Sequence, residues 1–150
     1  MIVTSFYDIY GKPENFINYI YLFYDIGISG IPIIIFTDPS LVNKFRIFPS
    51  SVKVIGVPLK ELELYKLSMS YNGELPKNRS HTKDTKEFLA IMNTKVEFLL
   101  RASNMCEDKT LIWIDFGILK ISKNHDKFIG KLKEINELDY DKIQILRFCL

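Results

Sequence analysis

Cysteine and histidine are scarce, with two of each in the chain. Cys106 and Cys149 lie far apart and fit neither a disulfide framework nor a metal-ligand spacing, so the default expectation is a reduced, cytoplasmic setting. His81 and His125 make no metal-spacing pair with each other or with a cysteine. His81 falls in a polar loop from which it could approach a ligand, whereas His125 opens a polar helix and reads as surface. No Ser/His/Asp or Cys/His set is specific enough to name a nucleophile. A block of one charge sign is also missing. The net charge is +2 and the pI about 8.4, without a Lys/Arg cluster, so nucleic acid is not an expected partner.

Long apolar runs are absent too. The most apolar stretch, "IGISGIPIIIFT" (Ile26–Thr37), is short and broken by Gly and Pro, so no membrane span is expected. The first residues lack a basic segment followed by an apolar one, so no signal peptide is expected. There is no GxGxxG after the first strand signal and no GxxxxGK[ST], which argues against dinucleotide-binding and P-loop chemistry. The tripeptide Asp115-Phe116-Gly117 invites a kinase reading. That reading fails, because no glycine-rich loop, "HRD" or "VAIK" accompanies it.

What remains is a globular composition, 150 residues with 47% hydrophobic and 25% charged, enough for one domain with a core. Strand and helix signals alternate along it. "IVTSFY" (Ile2–Tyr7) is β-branched and aromatic. "PENFINYIYLFYDIG" (Pro13–Gly27) spaces Phe16, Ile17, Ile20, Phe23 and Tyr24 as a helix does. "PIIIFTD" (Pro32–Asp38) has the continuous apolar run of a strand buried on both faces. A short helix at Pro39–Phe48, a strand at Ser51–Leu59 and a helix at Lys60–Met69 follow. Ser70–Lys83 is a long polar loop. A long helix is expected over Asp84–Asn104, with Asp84 and Glu87 as a capping box. Then come a strand within Thr110–Ile121, a solvated helix at Asn124–Asn136 and a final strand at Tyr140–Leu150. This order predicts an α/β, Rossmann-like fold, a mostly parallel sheet with helices on both faces. Ligands in such sheets bind beyond the carboxyl ends of the strands. Three of those ends carry an acid: Asp8, Asp38 and Asp115.

Asp115 stands inside the apolar run "TLIWIDFGILKI". Strand alternation places Ile112, Ile114 and Phe116 on one face and Leu111, Trp113, Asp115 and Gly117 on the other. A carboxylate deep in an apolar layer costs several kcal/mol unless it is paired or metal-bound. At the strand's end it could meet a cation or a ligand, or bond backbone amides where the strand exits. Lys95 is the second anomaly. On a helical wheel Phe88, Ile91, Met92, Val96 and Leu99 define the buried face, and Lys95 lies within it. It could snorkel, pair with Asp84 or Glu87, or aim at a phosphate or carboxylate on the ligand edge. The paired and ligand-facing readings are favoured over snorkelling, because lysine is rarely central on an apolar face.

Four segments, "IVTSFYDI", "IIIFTD", "KDTKEFLAIMNTKVEFLLRA" and "IWIDFGI", together resemble the HtrL/YibB-type glycosyltransferase family. The "KDT…MN.K.EF" and "WIDFGI" parts are the specific ones. The resemblance implies a GT-A-like nucleotide-sugar-binding domain and transfer of a sugar from a nucleotide-diphosphate donor, a UDP-sugar first among them. It implies that Asp115 holds Mn²⁺ or Mg²⁺ bridging the diphosphate. It further implies that Thr4, Ser5, Phe6 and Tyr7 line the nucleotide pocket, their aromatics offering the base a stacking face. Asp38 would lie near the base or ribose, and Lys95 would face the phosphates or donor sugar. Asp84 would help hold that sugar, or simply cap its helix. The sequence departs from the GT-A pattern in two respects. Gly117 stands where a second acid is usual, a position where glycine permits close approach by a ligand. The chain also ends at Leu150, so residues 1–150 are expected to be a single donor-binding domain without the acceptor-binding half. The acceptor, a glycan or a protein, is not specified. The alternatives are a non-catalytic nucleotide- or sugar-binding module, and a protein-interaction module in which Lys95 and Asp115 form a buried ion pair.

Overall fold

A computed structural model describes residues 1–11, 13–75, 77–81, 84–107 and 110–138, with 13–15 described by backbone alone. The strand expected over Tyr140–Leu150 lies outside the described residues. Four strands, β1 (Ile2–Phe6), β2 (Ile33–Thr37), β3 (Val52–Gly56) and β4 (Ile112–Trp113), form one sheet in the order β3-β2-β1-β4. Every pairing is parallel, with Ile2 opposite both Ile33 and Ile112, and Phe6 opposite Thr37. The fold is therefore α/β and Rossmann-like, as the order of elements predicts.

A parallel sheet needs crossover connections, and these cover both of its faces. On one face Ile2, Phe6, Ile33, Ile35, Ile112, Ile114 and Phe116 pack against helices α1 (Pro13–Gly27) and α5 (His125–Asn136). Phe16, Ile20 and Phe23 come from α1, Phe128 and Leu132 from α5. On the other face Val3, Ile34 and Phe36 pack against Phe98 and Ala102 of α4 (Lys95–Ser103), with Leu62 from just before α2 (Glu63–Ser70). Ile112, Ile114 and Phe116 join the first group and Leu111 and Trp113 the second, as strand alternation requires.

The helix expected over Asp84–Asn104 is two helices, α3 (Lys86–Asn93) and α4. They meet at Thr94, which is fully buried and whose Oγ1 donates to the Ala90 carbonyl at 2.8 Å. Such back-bonding by threonine bends a helix. The buried residues nevertheless recur every four positions across Thr94, so one continuous stripe is covered, and it is not the stripe of large apolar side chains that the sequence suggests. Ala90, Thr94, Glu97, Phe98 and Ala102 are buried, while Met92, Val96 and Leu100 are exposed. The cap is Thr85, whose Oγ1 accepts from the Phe88 amide at 3.2 Å, rather than Asp84. The strand expected within Thr110–Ile121 is limited to two residues. The Ile118 amide bonds the Asp115 carbonyl at 2.9 Å and turns the chain into a 3-10 helix, Ile118–Lys120. Pro39–Phe45 is likewise a 3-10 helix, and the helix expected from Lys60 begins instead at Glu63, after a 3-10 turn at Leu59–Glu61.

Glu97 is charged yet 8% exposed. Its carboxylate accepts from the Glu63 and Leu64 amides at 3.1 and 2.8 Å, and from Arg101. These amides belong to the first turn of α2, where the helix has donors without internal partners and favours an anion. Glu97 thus ties α2 to α4. Burial pushes its carboxyl up, but the Leu64 amide, Arg101 and the Glu63 amide together outweigh burial and hold it below the ordinary value. A carboxyl lowered by folding stabilises above the unfolded value of about 4.3 and loses that contribution as pH falls through the folded value. Glu97→Ala should therefore cost about 2–4 kcal/mol in urea unfolding at neutral pH. The gap to the unaltered protein should narrow as pH drops below about 4; a constant gap would show that the ionised carboxylate is not what holds α2.

Candidate functional site

Helix α4 precedes β4, so its amino end lies over the carboxyl ends of the strands. Phe98 seats it there. The ring stacks on Phe36 at 5.1 Å, on Tyr7 at 5.9 Å and on Trp113 at 6.0 Å between centroids. One turn earlier on the same side stands Lys95. Its Nζ donates to Asp115 Oδ1 at 2.7 Å, and Trp113 Nε1 donates to the same oxygen at 3.0 Å. The ammonium also lies 5.7 Å from the centre of the Trp113 ring, within cation–π range. Lys95 is thus paired, but with Asp115 rather than with Asp84 or Glu87. The pair sits on the rim rather than buried, since the Asp115 side chain is 54% exposed and that of Lys95 25%. Burial pushes the Asp115 carboxyl up. The hydrogen bonds from Lys95 and Trp113, with the lysine's charge, outweigh it and hold the carboxyl below its ordinary value.

The remaining candidates are placed as follows. Phe6 is enclosed by Phe16, Tyr19 and Phe116, with centroids 5.2–5.6 Å away. Its ring is core and offers no open stacking face. Tyr7 is stacked on Phe98 and its hydroxyl donates to the Val57 carbonyl at 2.8 Å. Burial, then the charge of Asp38, pushes that hydroxyl far above its ordinary value, so it stays protonated. Thr4 is fully buried and its Oγ1 has no hydrogen-bond partner among the described residues; it faces the core beside Ile35, its register partner, instead of lining a pocket. Ser5 is half-buried. Asp38 accepts from the Ser40 amide and hydroxyl at 2.9 and 2.6 Å and caps the 3-10 helix. Asp84 closes its own loop, accepting from the Ser80 amide at 2.9 Å. At Gly117 a Cβ would stand 2.5 Å from Tyr19 Cε1. The close neighbour at Gly117 among the described residues is thus the Tyr19 ring. His81 is exposed, and His125 faces Asp25 and the Leu119 carbonyl.

No protein-family model, curated protein or solved structure matches the chain. Mn²⁺ and Mg²⁺ take roughly six oxygen ligands. Among the described residues no group of three or more Asp, Glu, His or Cys converges on one point. Asp115 offers a single carboxylate whose Oδ1 already holds an ammonium and an indole N–H. These residues do not fit a divalent-cation site. They fit an ion pair at a ligand edge, with the ammonium's other N–H groups free to turn to an anion.

Two participants were not singled out from sequence. Trp113 is readable in principle, because alternation puts it on the face of Asp115 and a half-buried indole N–H seeks an acceptor. Glu97 is not readable, because a charged residue between Val96 and Phe98 gives no signal that it lies on the buried side of the helix. A cavity of about 540 Å³ lies elsewhere, between α2 and α3, walled by Leu67, Tyr71, Leu75, Leu89 and Met92. It includes neither Lys95 nor Asp115.

The unpartnered Thr4 hydroxyl gives a direct test of its placement. Thr4→Val keeps the shape and removes a desolvated polar group, so it should raise stability by about 1 kcal/mol or leave it unchanged. A loss of that size in urea unfolding would mean that the hydroxyl makes a bond in solution.

Proposed function

We propose that the chain binds the diphosphate of a nucleotide-diphosphate sugar, a UDP-sugar foremost, as the donor-binding part of a glycosyltransferase. The observation that carries this reading is Lys95, brought by α4 to the carboxyl edge of the sheet and left partly exposed beside Asp115. Ligands of parallel α/β sheets bind at that edge, and a lysine there suits phosphate oxygens. In glycosyl transfer the bond between the sugar's anomeric carbon and the diphosphate breaks, and negative charge grows on the departing oxygen. An ammonium held beside it stabilises that charge. Asp115 and the Trp113 ring orient the lysine. The acceptor and the catalytic base are not assigned. A cytoplasmic setting belongs to the same proposal. Among the described residues no helix is long and apolar enough to cross a membrane.

One observation favours a second reading. Asp115 Oδ1 receives both Lys95 and Trp113, so the cluster can also act as a clasp joining α4 to β4 in a non-catalytic module. Calorimetry separates the two. UDP and a UDP-sugar should bind, and uridine, lacking the phosphates, should bind at least about tenfold more weakly, as expected when charge-assisted bonds are lost. Equal affinity for uridine and UDP would remove the phosphate anchor, and absence of any binding would leave the clasp.

A further inference from the structure

We propose that the outer face of helix α1 is the contact between two copies of this chain. The helix is apolar on two sides. Phe16, Ile20, Phe23 and Ile26 are buried in the core. Ile17, Tyr21, Tyr24 and Ile28 are 40–74% exposed. The Ile28 amide bonds the Tyr24 carbonyl at 3.0 Å, so the helical course runs through it. A surface helix needs one apolar stripe, and a second one left in water marks a face that something else covers. The exposed positions are four, three and four residues apart. That alternation keeps a seam on one side of a helix and lets it pack along another helix. The apolar surface continues beyond α1. The Phe48 ring packs on Tyr24 and abuts Gly27, and Ile47 before it is exposed.

Charge selects a second copy as the occupant. The seam has no charged side chain, so packing it against itself buries no ion. Its two flanks differ in sign. Phe48 lies on one flank, and the segment leading to it brings Lys44 and Arg46, while residues 39–60 contain no acid. Lys44 Nζ stands 5.0 Å from the centre of the Phe16 ring. Arg46 makes no ion pair among the described residues. The opposite flank carries Asp25, which is exposed and faces His125 at 3.4 Å. Asp126 and Lys127 in the first turn of α5 offset each other, so Asp25 sets the sign of that flank. Asp25 and Gly27, where Phe48 packs, belong to the same last turn of α1. A two-fold axis along α1 sets the helices parallel and in register, with unlike flanks together. Arg46 of each copy then faces Asp25 of the other. Antiparallel pairing would bring Arg46 toward Arg46, and like charges repel. The face lies on the other side of the sheet from α4, so this pairing does not depend on what binds at Lys95.

Sedimentation velocity of the full chain tests the proposal. At about 100 µM, a concentration suited to an interface of modest area, the chain should run at twice the mass of one copy. Tyr21→Lys sets a charge in the seam at its most exposed position. It should weaken the dimer at least about tenfold, with the circular dichroism spectrum unchanged. Arg46→Glu and Asp25→Lys should each weaken it, and the two together should restore it, because the pairs re-form with their signs exchanged. In-register pairing also sets Tyr21 against Tyr21 of the second copy. Tyr21→Cys should therefore cross-link on mild oxidation, above the background set by Cys106 and Cys149 in the unaltered chain. Val96→Cys, equally open to solvent but on α4, should stay at that background. A chain that is monomeric at this concentration would overturn the proposal and leave the face to a different partner. A dimer that Tyr21→Lys leaves intact would overturn it too. Failure of the double reversal to restore the dimer would overturn the parallel pairing.

Discussion

The architecture depends on how one face of a parallel sheet is covered. Strands β1 and β2 are apolar on both sides and cannot be left to water. Phe98 supplies the centre of the cover on the α4 side. It is fully buried and stacked among Tyr7, Phe36 and Trp113, residues of or next to three strands. Because a helix repeats every 3.6 residues, placing Phe98 also places Lys95 and Ala102. Lys95 then has one direction available, along the rim toward Asp115. On the adjoining side the same helix holds Glu97 and Arg101, which fasten α2 through its first amides. Packing and polar contacts on α4 thus follow from one aromatic anchor.

The sheet was legible in the sequence because its signals are strong and local. Continuous Ile/Val/Phe runs bounded by Pro, Gly and Asp admit few alternatives, and alternating strands and helices imply parallel pairing. Asp115 was legible as an anomaly, and Lys95 as another. Their pairing was one of several open readings, since sequence spacing does not say which rim groups meet in space. The large apolar side chains of Asp84–Asn104 point to the wrong face: the buried stripe is Ala90, Thr94, Phe98 and Ala102, four residues apart, with Glu97 beside it, while Met92, Val96 and Leu100 are exposed. The aromatics of β1 were read as a stacking platform. The core claimed Phe6, because strand alternation turns it toward α1, and Tyr7 was covered by Phe98. Gly117 reads from sequence as a place of close approach, and the ring of Tyr19 stands close to it in the fold.

Chemically, the rim joins opposite charges and an aromatic face: Trp113, Lys95 and Asp115. An exposed ion pair contributes little to stability. Its value here is positional. Asp115 keeps an ammonium extended at the strand ends, and the indole fixes the carboxylate from the other side. Such an arrangement is suited to exchange, with an incoming phosphate taking the donors that face solvent. The cavity between α2 and α3, whose lining combines Leu67, Leu89 and Met92 with Glu74 and Lys86, makes a useful internal comparison.

The central claim is that the ligand of this fold meets the Lys95–Asp115–Trp113 cluster. Trp113 is the single tryptophan of the chain, so its indole N–H gives one unambiguous proton–nitrogen resonance. On adding UDP in EDTA, that resonance should shift with saturation, together with the backbone amides of Lys95 and Gly117. A titration that leaves the indole unmoved while shifting Leu67, Tyr71 and Leu89 around the α2–α3 cavity would contradict the account.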